Sequence, residues 1–347
     1  MFRAPRPARP VSVIAAAVLV LAACSAPAAS PTSSGSPGTL SPAATSTPST
    51  APASAPASAS PTPLAGILGT VDVGHGPCAL ETSPDGTAYA TVYYDGTVVR
   101  IDPATGAVSQ VATVDGRPCG IAWADGSLWV GLLNIHQLVR LDPATGAVQQ
   151  TIDLAGDPWD VQPGGGYVWV ADRGVPGVVG YRATTGKPGP TFTTGIDPTG
   201  LAYHDGHVWV TVQTPHQLIR LDTAGTAAEV TAEVGTRPAW FGDGDGTLWV
   251  TDNDGQVYRI DPTSGEVIAT INLGGSPHDP VYAFGALWVA NGADGVLSQI
   301  SPDTNQVSGT LQLEPGIWAV EQVGSELWVE NYAGSVIYRV DPTTVGA

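Results

Sequence analysis

Short apolar runs of four to eight residues, each bounded by Gly, Pro, Asp or Asn, recur through residues 65 to 347. One full cycle reads from Arg117 to Leu154. Arg117-Pro118-Cys119-Gly120 leads into a strand Ile121-Ala122-Trp123, a turn at Asp125-Gly126, and a second strand Leu128-Trp129-Val130-Gly131-Leu132. A loop around Asn134 and His136 follows, then a third strand Gln137 to Leu141, the turn Asp142-Pro143-Ala144-Thr145-Gly146, and a fourth strand Val148 to Leu154. In that turn Asp accepts from backbone amides, Pro presets φ and Gly supplies a positive φ. Segments this short, rich in β-branched and aromatic residues, are strands rather than helices, and no convincing amphipathic helix breaks the pattern. The second strand is apolar at consecutive positions, which predicts a sheet covered on both faces.

The cycle repeats at a nearly fixed interval. Tyr89, Trp129, Trp169, Trp209, Trp249, Trp288 and Trp328 mark the centres of seven second strands, 40 residues apart except for one step of 39. A period near 40 residues with four strands per unit predicts a seven-bladed β-propeller, all-β, with the seven aromatics filling the space between blades. The last unit runs through Val336 to Pro342 and stops before a fourth strand, while Ile67 to Val73 reads like one. The N-terminal strand is therefore expected to complete the C-terminal blade and to remove the open sheet edge.

The first 64 residues are of another material. Arg3, Arg6 and Arg9 precede an apolar run from Val11 to Ala23, ending Leu21-Ala22-Ala23-Cys24. A basic start, a short apolar stretch and small residues before the cut predict a secretory signal over 1–23, too short to span a bilayer. Leu-Ala-Ala-Cys closely resembles a bacterial lipobox, which implies cleavage before Cys24, lipid on its thiol and anchoring to the outer face of the cytoplasmic membrane. Residues 24–64 are nearly all Ser, Pro, Ala, Thr and Gly without charge or aromatic ring, so the expectation there is a disordered, extended tether.

Charge narrows the choice of partners. The chain has 31 acidic against 13 basic side chains, and loss of the signal removes three Arg and no acid. With no basic stripe to neutralise phosphates, nucleic acid is not an expected partner. Lys187 is the only lysine and sits in a Gly/Pro turn, so Schiff-base chemistry has no good candidate. Many of the acids are turn formers. Cys78 and Cys119 each follow a Pro at the same point of blades one and two. In an exported chain the default is a disulfide joining the two inner strands, with a paired-thiol metal site as the alternative.

The loops that enter each inner strand and those that join second to third strands differ between copies, whereas the opposite face repeats Asp-Pro-x-Thr/Ser-Gly. Variation on one face marks the expected binding surface, read here as Trp159, Trp240, His278, Asp279, Trp318 and Glu330, for a small molecule, cell-wall component or protein on a monomeric propeller. Asp252-Asn253-Asp254-Gly255 and Asp243-Gly244-Asp245-Gly246 open like calcium loops but lack the closing Glu. That leaves Asp252 and Asp254 as weak metal candidates, and Ca²⁺ or Mg²⁺ as the ions to consider.

The unit Pro-x-Gly-Ile-Ala…Asp-Gly-x-Leu-Trp-Val…Leu-x-Arg-Leu-Asp-Pro-x-Thr-Gly resembles the repeats of the streptogramin (virginiamycin B) lyase-like and YncE-like seven-bladed propellers, and those of NHL type. The resemblance covers 65 to 347 and its motifs are architectural. It implies, for the lyases, a His and a Glu on one face that open a cyclic depsipeptide with Mg²⁺ by elimination. His278 matches the entry-loop His, and Asn291 stands where the pattern wants Glu. Asp172, Asp252 and Glu330 are the carboxylates read at that offset, in blades without an entry-loop His. No catalytic residue is assigned, with His278 and Glu330 as weak candidates. Because elimination needs a base beside a polarising cation, a non-catalytic, anchored binding or scaffold module ranks first and a lyase-like enzyme or related hydrolase using the same face second.

Overall fold

A computed structural model describes residues 66–223 and 227–346; the signal, the tether and Cys24 lie outside them. No helix among the described residues is long and apolar enough to cross a membrane. The described chain is strand and turn, with two single-turn 3₁₀ segments at Leu133–Ile135 and Pro342–Thr344.

Five sheets have four strands each, and an eight-stranded sheet consists of two further four-stranded halves joined by a single parallel bridge, Asp279 to Ala319. Each sheet is an antiparallel meander. The blades are 77–113, 118–153, 157–193, 196–233, 238–272, 277–312 and 317–340, the last completed by Ile67–Asp72. That closing strand pairs antiparallel with Val336–Val340, Asp72 opposite Val336 and Ile67 opposite Val340.

Seven apolar clusters lie between successive blades, and they follow one another around a circle. Tyr89 packs with Ile121 and Leu128 of the next blade, Trp129 with Val161 and Val168, and Trp169 with Leu201 and Val208. Trp209 packs with Leu248, Trp249 with Leu287 and Trp288 with Val320. Trp328 of blade seven meets Leu80, Ala88 and Val99 of blade one, which closes the ring. The six Trp are at most 1% exposed. Burying 150–250 Å² of indole is worth about 4–6 kcal/mol each as an upper bound, so these clusters dominate the stability of the ring.

Register sets Arg100, Arg140, Arg220, Arg259 and Arg339 on third strands directly across from the aromatic of the second strand. The guanidiniums of Arg140, Arg220, Arg259 and Arg339 lie over the indoles 4.8–5.7 Å from the ring centroids. Arg140, Arg220 and Arg259 also donate to turn carbonyls of the following blade, those of Thr184, Pro262 and Pro302 among them. In blade three Gly180 takes the Arg position, and a Cβ there would fall 2.7 Å from the Trp169 ring. On the same face of the ring, Asp102, Asp142 and Asp261 accept from the amides two residues on in their Asp-Pro turns. Those turns satisfy themselves, as the repeated sequence implies.

Candidate functional site

All seven inner strands carry a register irregularity within their first six residues, at Pro77/Ala79, Pro118/Ile121, Pro158/Asp160, Pro198/Leu201, Pro238/Phe241, Pro277/Pro280 and Ile317/Val320. A bulge kinks its strand and re-aims side chains. Here four of the bulges contain Trp159, Trp240, His278 with Asp279, and Trp318. Trp159, Trp240, His278, Asp279 and Trp318 therefore stand on strands at the wall of the central channel, not on the entry loops where the sequence places them.

Aromatic rings run around this mouth. Trp159 lies 6.4 Å from Trp240 with the planes 19° apart, and Trp240 meets Trp318 at 6.0 Å, edge to face. Trp318 contacts Tyr332 at 5.6 Å, and Tyr332 contacts both Tyr93 and Tyr94 at 5.7 Å. Cys78 and Cys119 form a disulfide, Cα atoms 5.0 Å apart, and with Leu133 make an apolar cluster touching Tyr93, Tyr332 and Trp159. The bridge expected from the sequence thus also closes the aromatic array. Arg173 covers Trp159 at 4.4 Å and Arg117 covers Tyr93 at 5.2 Å.

Below the rings is a cavity of about 240 Å³ lined by Trp159, Trp240 and Trp318 and by five acidic residues, Asp243, which pairs with His204, and the four carboxylates Glu81, Asp160, Asp279 and Glu321. No Lys or Arg lines it. Burial pushes Asp160 up to about 6, although Leu201 and Val161 amides donate to it. Burial likewise holds Glu81 at about 7, despite a bond from the Trp123 amide. Glu321 reaches about 8 through burial and then the Glu81 charge. Asp279 is raised well above the carboxylate range by burial and by Asp160, Glu321 and Glu330. All four touch the channel while protein surrounds them on the other sides, which is why desolvation dominates.

Glu330 differs from its expected placement. It is fully buried within the strand Glu326–Asn331, neither carboxylate oxygen has a hydrogen-bond partner, and burial with the Glu321 charge raises it to about 8. It sits two residues after the blade aromatic, where Thr91, Thr211 and Thr251 accept from bulge amides of Ala79, Gly200 and Trp240. The position three residues after the aromatic belongs to Asp172, Asp252, Asn291 and Asn331, and on a strand that is the opposite face.

Those four residues cap entry loops. Asp252 accepts from the amides of Thr236 and Arg237, and Asp254 accepts from the Thr236 hydroxyl and the Arg237 guanidinium. Asn291 accepts from Ser276 and donates to the Gly274 carbonyl. Asp252 and Asp254 are thus occupied in holding a turn, and no three His, Cys, Asp or Glu side chains among the described residues converge to hold a metal ion. His278 accepts from Asn253 Nδ2 at Nδ1, 3.0 Å, and keeps its ring proton on Nε2, 3.4 Å from Ser276 Oγ. Burial and then Arg237 lower it to about 4, so the imidazole is neutral at physiological pH.

Glu81 and Glu321 had a signal in the sequence that motif reading passes over. The fifth residue counted from the start of each bulge is Ala122, Gln162, Ala202, Gly242 and Val281 in five blades, and Glu81 and Glu321 in the adjacent blades one and seven. A lone acid at a small or apolar repeat position is the mark of a special environment.

No protein-family model matches this chain, and no curated protein does. Among solved structures it is similar to a streptogramin B lyase at 16% identity and a TM-score of 0.69, covering 78% of this chain and 96% of the other. A catalytically inactive His-to-Ala variant of the virginiamycin B lyase of Staphylococcus aureus, solved with quinupristin, aligns at 13% identity and a TM-score of 0.68, covering 79% and 99%. BamB from Moraxella catarrhalis aligns at 15% identity and a TM-score of 0.60, covering 76% and 85%. At these identities the likeness is one of fold: the chain is a β-propeller of the kind these proteins share.

Proposed function

We propose that this chain is an exported, lipid-anchored binding module that captures a ligand at the aromatic mouth of its channel without turning it over. The observation that carries the reading is the run of contacting rings from Trp159 through Trp240 and Trp318 to Tyr332 above a cavity lined by carboxylates. Apolar walls with a few oriented polar groups are the composition of a ligand site. Both nitrogens of His278 are engaged with Asn253 and Ser276, and Asn291, which stands where a Glu base or ligand is wanted, braces a loop. The site therefore supports recognition better than proton abstraction. Export and anchoring rest on the Arg-rich start, the apolar run and Leu21-Ala22-Ala23-Cys24.

The test is ligand capture by the purified chain, followed by indole fluorescence over a panel of cell-wall fragments and small amphipathic molecules. Trp318→Ala and Trp240→Ala should each weaken whatever binds, and substitutions in the Asp-Pro turns of the other face should not. Equal loss from both faces would remove the mouth from consideration.

A lyase-like activity is the second reading, favoured by one observation: a His stands at the channel mouth here, and a His-to-Ala change inactivates the virginiamycin B lyase in the quinupristin structure. Mg²⁺-dependent opening of quinupristin by this chain, abolished in His278→Ala, would put this reading first.

A further inference from the structure

The ligand class can be taken one step further, on the premise that the mouth is a binding site. We propose that it takes an organic ammonium group, the cationic head of an amphipathic amine or quaternary ammonium compound, seated among Trp159, Trp240 and Trp318 above Asp160 and Asp279.

Three independent features point to this chemistry. Ring faces attract cations of low charge density, and Trp159, Trp240 and Trp318, in contact with one another, together form an aromatic wall of the cavity. Arg173 over Trp159 shows that an indole of this very set already serves a cation on one side. The second feature is a set of carboxyl groups at the channel with no Lys or Arg lining the cavity. The Asp279 side chain lines the cavity with no hydrogen bond among the described residues, near enough to Asp160, Glu321 and Glu330 for their charges to disfavour its ionisation. Behind that wall Glu330 is wholly buried with both oxygens unpartnered. In three other blades the same strand position holds Thr91, Thr211 or Thr251, which satisfy backbone groups locally, and in the remaining three it holds Gly131, Ala171 or Ala290. An unpartnered buried carboxylate costs stability, and a cation admitted to the channel offsets that cost.

The third feature separates an organic from an inorganic cation. A metal ion needs several hard donors within about 2–2.6 Å of one point, and no three such side chains among the described residues converge. A dispersed ammonium needs only aromatic faces and diffuse negative potential. The cavity of about 240 Å³ accommodates a head group rather than a whole cyclic peptide. The remainder of the ligand would lie on Tyr332 and Tyr94.

Calorimetry with benzyltrimethylammonium and with its neutral isostere, carbon in place of nitrogen, decides the matter on the folded full-length chain. The ammonium is expected to bind at least about tenfold tighter than the isostere, and Asp279→Asn or Glu321→Gln to reduce its affinity by about tenfold without affecting the isostere. At pH 9 both variants should unfold at higher temperature than the wild type, because each removes a buried carboxyl group that resists ionisation there, so weaker binding is not explained by misfolding. Equal binding of the two probes overturns the ammonium proposal and leaves the mouth as an apolar site. Binding of neither overturns both. Ca²⁺ or Mg²⁺ raising the unfolding temperature where the ammonium does not would identify a metal site instead.

Discussion

The imidazole of His278 lies 4.2 Å from the indole of Trp318, centroid to centroid, with the planes 28° apart. Stacking of a neutral ring on an indole, with Asn253 donating to Nδ1, fixes both the orientation and the charge of the histidine. The NMR signal of His278 should therefore not titrate between pH 8 and about 5, in keeping with a value lowered to about 4. Trp318→Ala opens the ring to water and should bring the midpoint back up toward the usual histidine range. A His278 midpoint near 6.5 in the wild type would refute the buried, neutral assignment.

The channel carboxylates set the pH dependence of stability. Glu81, Asp160, Glu321 and Glu330 have folded-state values of about 7, 6, 8 and 8, above those of an unfolded chain, so the folded state holds protons that the unfolded state has lost. Their favourable contribution is complete below about pH 4 and disappears as pH rises through 6 to 8. The unliganded protein should melt at progressively lower temperature from pH 5 to pH 9, and Glu330→Gln should flatten that slope. A melting temperature rising over this window would contradict the burial of these acids.

Cys78 and Cys119 are 41 residues apart, so reduction should cost on the order of 4 kcal/mol by the loop-entropy relation. Cys78→Ser with Cys119→Ser should lower the denaturation midpoint accordingly, and intact-mass measurement should find two thiols only after reductant. Because the pair touches Trp159 and Tyr332, the same double variant should also weaken ligand capture at the mouth.

Arg259 spans two blades: its guanidinium lies 4.8 Å from the Trp249 ring centroid and donates to the Pro302 carbonyl, Asn305 and Asp245. Arg259→Met keeps the stem and loses these contacts, with an expected cost of about 2 kcal/mol measured by denaturant unfolding. No change in stability would mean that the repeated arginines serve solubility alone.

Cys24→Ala should leave the chain in the soluble fraction or unprocessed, while the wild type partitions with membranes and carries a lipid-modified N-terminal cysteine by mass spectrometry. A wild-type protein cleaved elsewhere and wholly soluble would end the anchoring proposal.

The ring was legible in the sequence because each blade aromatic answers to one interface, and identical interfaces force an identical spacing. The closing strand was legible for a related reason, since Ile67 to Asp72 carries the outer-strand pattern that the last blade lacks. The mouth was legible in its residues and not in their placement. Side-chain direction there depends on bulges that no local motif announces, so Trp240, counted as a loop residue, is only 7% exposed on the channel wall. Glu330 was misassigned for a plainer reason: it is an even step from Trp328 and Asp252 an odd step from Trp249, so they project to opposite faces. Glu81 and Glu321 required comparison of one position across all copies. The contact chain joining blades three, five, seven and one exists only once the ring has closed.

Closure has a temporal consequence. Ile67–Asp72 leaves the ribosome among the first segments of the ring, yet its hydrogen-bonding partner, Val336–Val340, is among the last. Until that pairing forms, Trp328 has no neighbouring blade to cover it, and the seventh interface is missing. The chain therefore cannot complete its fold until its last strand, Val336–Val340, has been synthesised. Its slowest folding event should be this final, longest-range pairing.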